Sequence, residues 1–194
     1  MAAWQHYVET IAGGLAELVV TDHARAPIAV ADAFDRWVAL TSETHARGGQ
    51  VFLIGNGGSA AMASHMAADA LKNGHLRAFA FNDLALLTAT GNDAGYDQVF
   101  ALPLARLARA GDLLVAISSS GNSPNIVRAL ETARDLGVAA VTLTAKQPDN
   151  RARALGALNF YVPLSRYGWA ESAHQIILHC WFDTYLDRYA KGAI

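Results

Sequence analysis

Val51-Phe52-Leu53-Ile54 runs straight into Gly55-Asn56-Gly57-Gly58-Ser59, and an Ala-rich stretch follows from Ala60 to Lys72. Four apolar residues without polar alternation read as a strand buried on both faces. The glycines mark a tight turn, and the alanines after them a helix. The same grammar recurs down the chain. Arg77 to Phe81 reads as a strand, with a short helix after Asn82-Asp83. Asp112 to Ile117 is an apolar strand, Ser118 to Ser123 a polar turn, and Asn125 to Leu136 a helix. Val138 to Thr144 and Leu158 to Val162 are further strands, and Trp169 to about Tyr189 is one long final helix. Buried strands alternating with helices predict an α/β fold: a three-layer αβα sandwich around a mainly parallel, doubly wound sheet.

Upstream of Val51 the texture is helical. Leu15, Leu18 and Val19 fall at helical spacing, Thr21 to Pro27 breaks the pattern, and Ile28 to about Ala46 resumes it. Gly48-Gly49 ends this part. Residues 1–48 are therefore expected as an N-terminal helical arm used for packing or oligomerisation, and residues 49–194 as the α/β domain.

Composition narrows the function. Hydrophobic residues make up 53% of the 194 residues and charged ones 16%, enough for a sizeable core and against disorder. A net charge of -2 gives no basic excess for nucleic acid and no basic tract for a membrane surface. The single cysteine, Cys180, excludes an internal disulfide and suits a reducing, cytoplasmic setting. No secretory signal is expected from the first ten residues, and no membrane span from the hydropathy. High apolar content with little charge points to a homo-oligomer that covers the excess.

The chemistry is expected at the two loops after apolar strands, because ligands of open α/β sheets bind beyond the strands' carboxyl ends, at helix N-termini. Gly55-Asn56-Gly57-Gly58-Ser59 lacks the spacing of G-x-G-x-x-G and the GK[ST] of a nucleotide loop, and taken alone it reads equally as a plain strand-to-helix turn. In the second loop, Ser123 is a suitable N-cap and Pro124 a suitable first helical residue. Ser118, Ser119 and Ser120 have no such local explanation. Hydroxyls and N–H groups converging on a helix N-terminus suit a phosphate ester.

A strand ending in GNGGSA about 60 residues before one ending in ISSSGNS resembles the sugar isomerase (SIS) domain family. Thr90-Gly91-Asn92-Asp93 and Val141-Thr142-Leu143-Thr144 extend the likeness, which runs from Gly49 onward. With the helical arm, the chain resembles the phosphoheptose isomerase branch and its non-catalytic relative that binds the DnaA replication initiator. The resemblance implies a homotetramer with active sites between subunits, a phosphorylated sugar as substrate, and heptose synthesis for lipopolysaccharide as the setting.

It also implies roles. The isomerases carry H-x-x-x-E after the first glycine loop and Q-x-x-H-x-x-x-x-H in the last helix, and metal-containing members bind zinc with the first His, the Glu, the Gln and the last His. Here His65, Asp69, Glu171 and His179 occupy those positions, with His174 at the inner His. Two histidines with carboxylates suit zinc. Alone, such helical pairs are commoner as surface residues. Asp69 is one methylene shorter than Glu, a difference of about 1.5 Å in reach, and Glu171 adds a negative charge where the family has Gln. The resemblance thus implies Asp69 and His179 as the catalytic acid–base pair. Substrate is expected on Asn56, Gly57, Gly58 and Ser59, on Asn92 and Asp93, and on Ser118, Ser119, Ser120 and Ser123. The competing expectations are a SIS adaptor for a protein partner such as the DnaA initiator, and a sugar-phosphate sensor without turnover.

Overall fold

In the computed structural model, which describes residues 1–190, β3 (Val51–Gly55) lies parallel to β5 (Leu113–Ser118) along its whole length. Their side chains alternate between two cores, as a period of two demands. Val51, Leu53, Leu113, Val115 and Ile117 face one side; Phe52, Ile54, Leu114 and Ala116 face the other. β4 (Ala78–Ala80) flanks β3, while β6 (Ala139–Thr144) and β7 (Leu158–Tyr161) extend the sheet beyond β5, all parallel. The α/β sandwich with a mainly parallel sheet is thus the fold.

Residues 1–48 are more than a helical arm. Between α1 (Ala2–Ala16) and α2 (Val30–Ala46), where the sequence shows only a break, β1 (Val19–Thr21) and β2 (Pro27–Ile28) form a short antiparallel ribbon. β1 pairs antiparallel with β7, giving the seven-strand order β2-β1-β7-β6-β5-β3-β4. The fully buried Asn159 secures this junction: it donates to the carbonyls of Thr21, Asp22 and Gly156 and accepts from Thr142 Oγ1 at 2.8 Å. The last four residues of the expected 49–194 domain lie outside the described part.

One face of the sheet carries α2, α3 (Gly58–Lys72) and α7 (Tyr167–Tyr189); the other carries α4 (Leu84–Asp93), α5 (Ala101–Leu107) and α6 (Pro124–Asp135). α5 was not expected from the sequence. α2 and α7 are joined by Trp37 and Trp181, stacked with centroids 4.5 Å apart, and Trp181 Nε1 donates to Thr41 Oγ1 at 3.0 Å. Trp181 and Phe182 are buried in the core, whereas Cys180 is exposed.

His174 of α7 is fully buried, and neither ring nitrogen has a partner at hydrogen-bonding geometry. Burial pulls its pKa down to about 4, against a weak opposing pull from the Thr144 backbone. A folded pKa below the unfolded one means that the unfolded chain takes the proton first. Stability is then complete above pH ~6.5 and falls as pH drops towards 4, by on the order of 3 kcal/mol. Urea midpoints across that window should show this slope, and His174→Gln should flatten it relative to the parent. An unchanged slope refutes the assignment.

Candidate active site

The two glycine- and serine-bearing loops lie side by side at the carboxyl ends of β3 and β5, on the edge where sequence reasoning put the chemistry. Asn56 and Asn125 clasp each other with reciprocal amide hydrogen bonds of 2.9 and 2.8 Å, and Tyr96 Oη donates to Asn56 Oδ1 at 3.3 Å. Between the loops is a cavity of about 130 Å³, lined by Asn56, Ser59, Ser118, Ser119, Ser120, Ser123, Tyr167 and Glu171, with Ile117.

The serine turn is tightly built. Gly121 N–H donates to the Ser118 carbonyl (3.0 Å) and to its hydroxyl (3.2 Å), and Ala145 N–H donates to the Ser119 carbonyl. Gly121 has φ +64°, and a Cβ there would collide with the Asn150 side chain, so glycine is required. The Ser119 hydroxyl is buried with no hydrogen-bond partner. Ser123 stands at the N-cap of α6, with Pro124 first in the helix, but its hydroxyl makes no capping bond. This differs from expectation; Ser123 is among the residues that line the cavity. Two serine hydroxyls uncommitted to protein, beside a helix N-terminus, are donors chemically suited to an anion.

The first loop serves another purpose. Glu171 lies so close to Gly58 that a Cβ on that glycine would stand 2.7 Å from its carboxylate oxygen. A carboxylate over the first turn of α3 is favoured by the helix dipole. Asn92 and Asp93 end α4, bond to each other at 2.7 Å, and do not line the cavity. Two residues missed in the sequence do belong here. Tyr167 forms a wall, and the Lys146 ammonium sits 3.4 Å above its ring. The only available signal was that Lys146 follows the strand end Thr142-Leu143-Thr144.

Farther along, α3 and α7 bring together the expected acid–base residues. His65 Nε2 lies 3.4 Å from Asp69 Oδ2, and the His65 and His179 rings are 5.5 Å apart. Glu171 is not with them. It precedes His179 by eight residues, a rise of about 12 Å, and faces the serine cavity instead. Among the described residues, no three His, Cys, Asp or Glu side chains form a ready metal site. The four proposed zinc ligands therefore do not fit one ion within a single chain. The same arithmetic separates Asp69 from Ser59, ten residues earlier on α3, by about 15 Å.

Comparison with known proteins bears on the family. The family profile described as SIS domain matches residues 20–145. A phosphoheptose isomerase of Solidesulfovibrio magneticus is 40% identical over 179 residues, covering 89% of this chain and 83% of that one. The chain belongs to the SIS domain family, in its phosphoheptose isomerase branch. The solved phosphoheptose isomerase GmhA of Neisseria gonorrhoeae superposes with TM-score 0.75 at 34% identity, covering 79% of this chain and 86% of that one. That of Francisella tularensis superposes with TM-score 0.83 at 28% identity over 96% and 98%. As a member of this branch, the protein is a sugar-phosphate isomerase. The SIS match begins at Val20, inside β1, so the family profile takes in the ribbon that precedes Gly49. Among the described residues, no helix is long and apolar enough to cross a membrane.

Proposed function

We propose that the protein interconverts a phosphorylated ketose and its aldose, with sedoheptulose 7-phosphate and D-glycero-D-manno-heptose 7-phosphate as the pair. The observation that carries this is the buried, unpartnered Ser119 hydroxyl in a cavity shared with Ser118, Ser120 and Ser123. A phosphate would accept from these hydroxyls and from the N–H groups that open α6. Asn56 and Ser59 would meet sugar hydroxyls next to the phosphate, beside the backbone of Gly57 and Gly58, with Asn92 and Asp93 farther out.

Isomerisation proceeds through a cis-enediol. A base takes a proton from C1 of the ketose while an acid protonates the C2 carbonyl oxygen. The proton then returns to C2 as the O1 hydroxyl gives up its own to form the aldehyde. Asp69 and His179 are the proposed pair, with His65 orienting Asp69. A fully extended heptose phosphate spans about 10 Å from phosphorus to C1, less than the rise from Ser59 to Asp69 along α3. The proposed site therefore takes its cradle from one subunit and its acid–base pair from another, in a homotetramer whose contacts would cover exposed apolar residues such as Ile176. Zinc on His65, Asp69, Glu171 and His179 would polarise the carbonyl and needs the same assembly to gather its ligands. Stoichiometric zinc in the purified oligomer, lost in His65→Ala, would support it. A reducing cytoplasm suits the single, exposed cysteine.

Incubation with sedoheptulose 7-phosphate, followed by NMR, should show the aldose product and solvent deuterium at C2. Binding without product or exchange would overturn the enzyme reading for this sugar and favour a sensor. No binding at all would favour the adaptor.

A further inference from the structure

At the opposite edge of the sheet, before the amino ends of β3 and β5, is a second cleft of about 410 Å³, in the range of small-molecule sites. Four guanidinium groups line it: Arg47, Arg77, Arg106 and Arg109. The chain as a whole carries a net charge of -2, so this is a local reversal of its character. The one carboxylate in the lining is committed elsewhere. Asp112 is buried and accepts from Gln50 N–H at 2.8 Å and from Arg109 N–H at 2.7 Å. It thus braces the segments before β3 and β5 together through backbone N–H groups. Arg77 donates to the Gly48 carbonyl at 2.6 Å, and Arg47 lies 4.0 Å from Glu43. Among the described residues, Arg106 and Arg109 have no carboxylate partner for their side chains. The floor is the backbone of Gly48, Gly49 and Gly111, which leaves the space open.

Like charges gathered in a concave, braced site repel one another until an anion enters. Guanidinium forks match phosphate oxygens and are weakly hydrated, so the exchange of water for phosphate is favourable. One phosphate would satisfy fewer than four forks; several linked phosphates would engage them all. An apolar shelf adjoins the cleft through Gln50, Arg77 and Leu107, and on it Leu71 and Phe79 are half exposed or more. A flat or apolar group attached to the phosphates would rest there.

We propose that this cleft binds a small polyphosphate-bearing anion, a class shared by inorganic polyphosphates and by nucleoside di- and triphosphates. The site is separate from the serine cradle, which lies at the other ends of the same two strands, and does not rest on the isomerase reading.

Calorimetric titration of the intact protein with tripolyphosphate, ATP and inorganic phosphate tests it. Tripolyphosphate should bind at least tenfold tighter than phosphate. Arg106→Ala with Arg109→Ala should weaken it at least tenfold, since each charge-assisted bond is worth about one decade or more. Ser119→Ala with Ser123→Ala should leave it unchanged. Tighter binding of ATP, with the gain lost in Phe79→Ala, assigns the nucleotide; equal binding assigns the inorganic chain. The proposal falls if tripolyphosphate binds no better than phosphate, if the arginine variant binds as the parent does, or if the serine variant abolishes binding. It also falls if no heat is seen and the arginine variant changes the oligomeric mass, since the cleft would then be a subunit contact.

Discussion

Asp69→Asn is expected to lower kcat for the sugar phosphate by about 10³-fold, within the range for removal of a general acid–base group. The amide keeps the shape and cannot take a proton. The fold should survive, because Asp69 is partly exposed and its polar contact with His65, at 3.4 Å, is an exposed pair worth little to stability. KM should stay within a few-fold, since the proposed phosphate grip is the serine turn after β5 and not Asp69. Steady-state kinetics with circular dichroism separates the cases. Turnover within threefold of the parent removes Asp69 from the chemistry; lost turnover with lost ellipticity would signal a structural role.

Activity is expected to return when two dead proteins are mixed. Asp69→Asn keeps its serine cradle, and Ser119→Ala with Ser123→Ala keeps its acid–base pair. If one reaction centre takes these parts from different subunits, refolding an equal mixture assembles about a quarter of the sites from intact halves. Recovery to about a quarter of parental activity supports the shared site. No recovery, with light scattering showing mixed oligomers, means that each chain works alone and overturns the shared site. The comparison is robust because neither parent variant contributes background.

The parts of the fold readable in the sequence are those with local causes. Val51–Ile54 and Leu113–Ile117 are apolar without interruption, and each is followed by a turn that only glycine or small polar residues make easily, so strand, loop and ligand edge were legible together. β1 and β2 were not. Three and two residues carry too little periodicity, and their place is fixed by Asn159, more than a hundred residues away. α5 was hidden by its length and by Pro103 in its first turn. At the site, the serine triplet was legible because no turn requires it. Ser123 looked like a cap because its position is a cap; only coordinates show its hydroxyl uncapped. Glu171 stands eight residues, a rise of about 12 Å, from His179, and the structure sets its carboxylate against Gly58 instead. Tyr167 and Lys146 were invisible, since an aromatic at a helix start and a lysine after a strand have no signature of their own.

The reciprocal amide clasp between Asn56 and Asn125 bears on traffic. It latches the two loops to each other, with Tyr96 steadying the latch, so a sugar would not be expected to pass between them. A sugar would be expected to enter beside the well-exposed Tyr167 ring, which carries Lys146 on its face. The rate of each passage would then depend on one aromatic side chain and its cation.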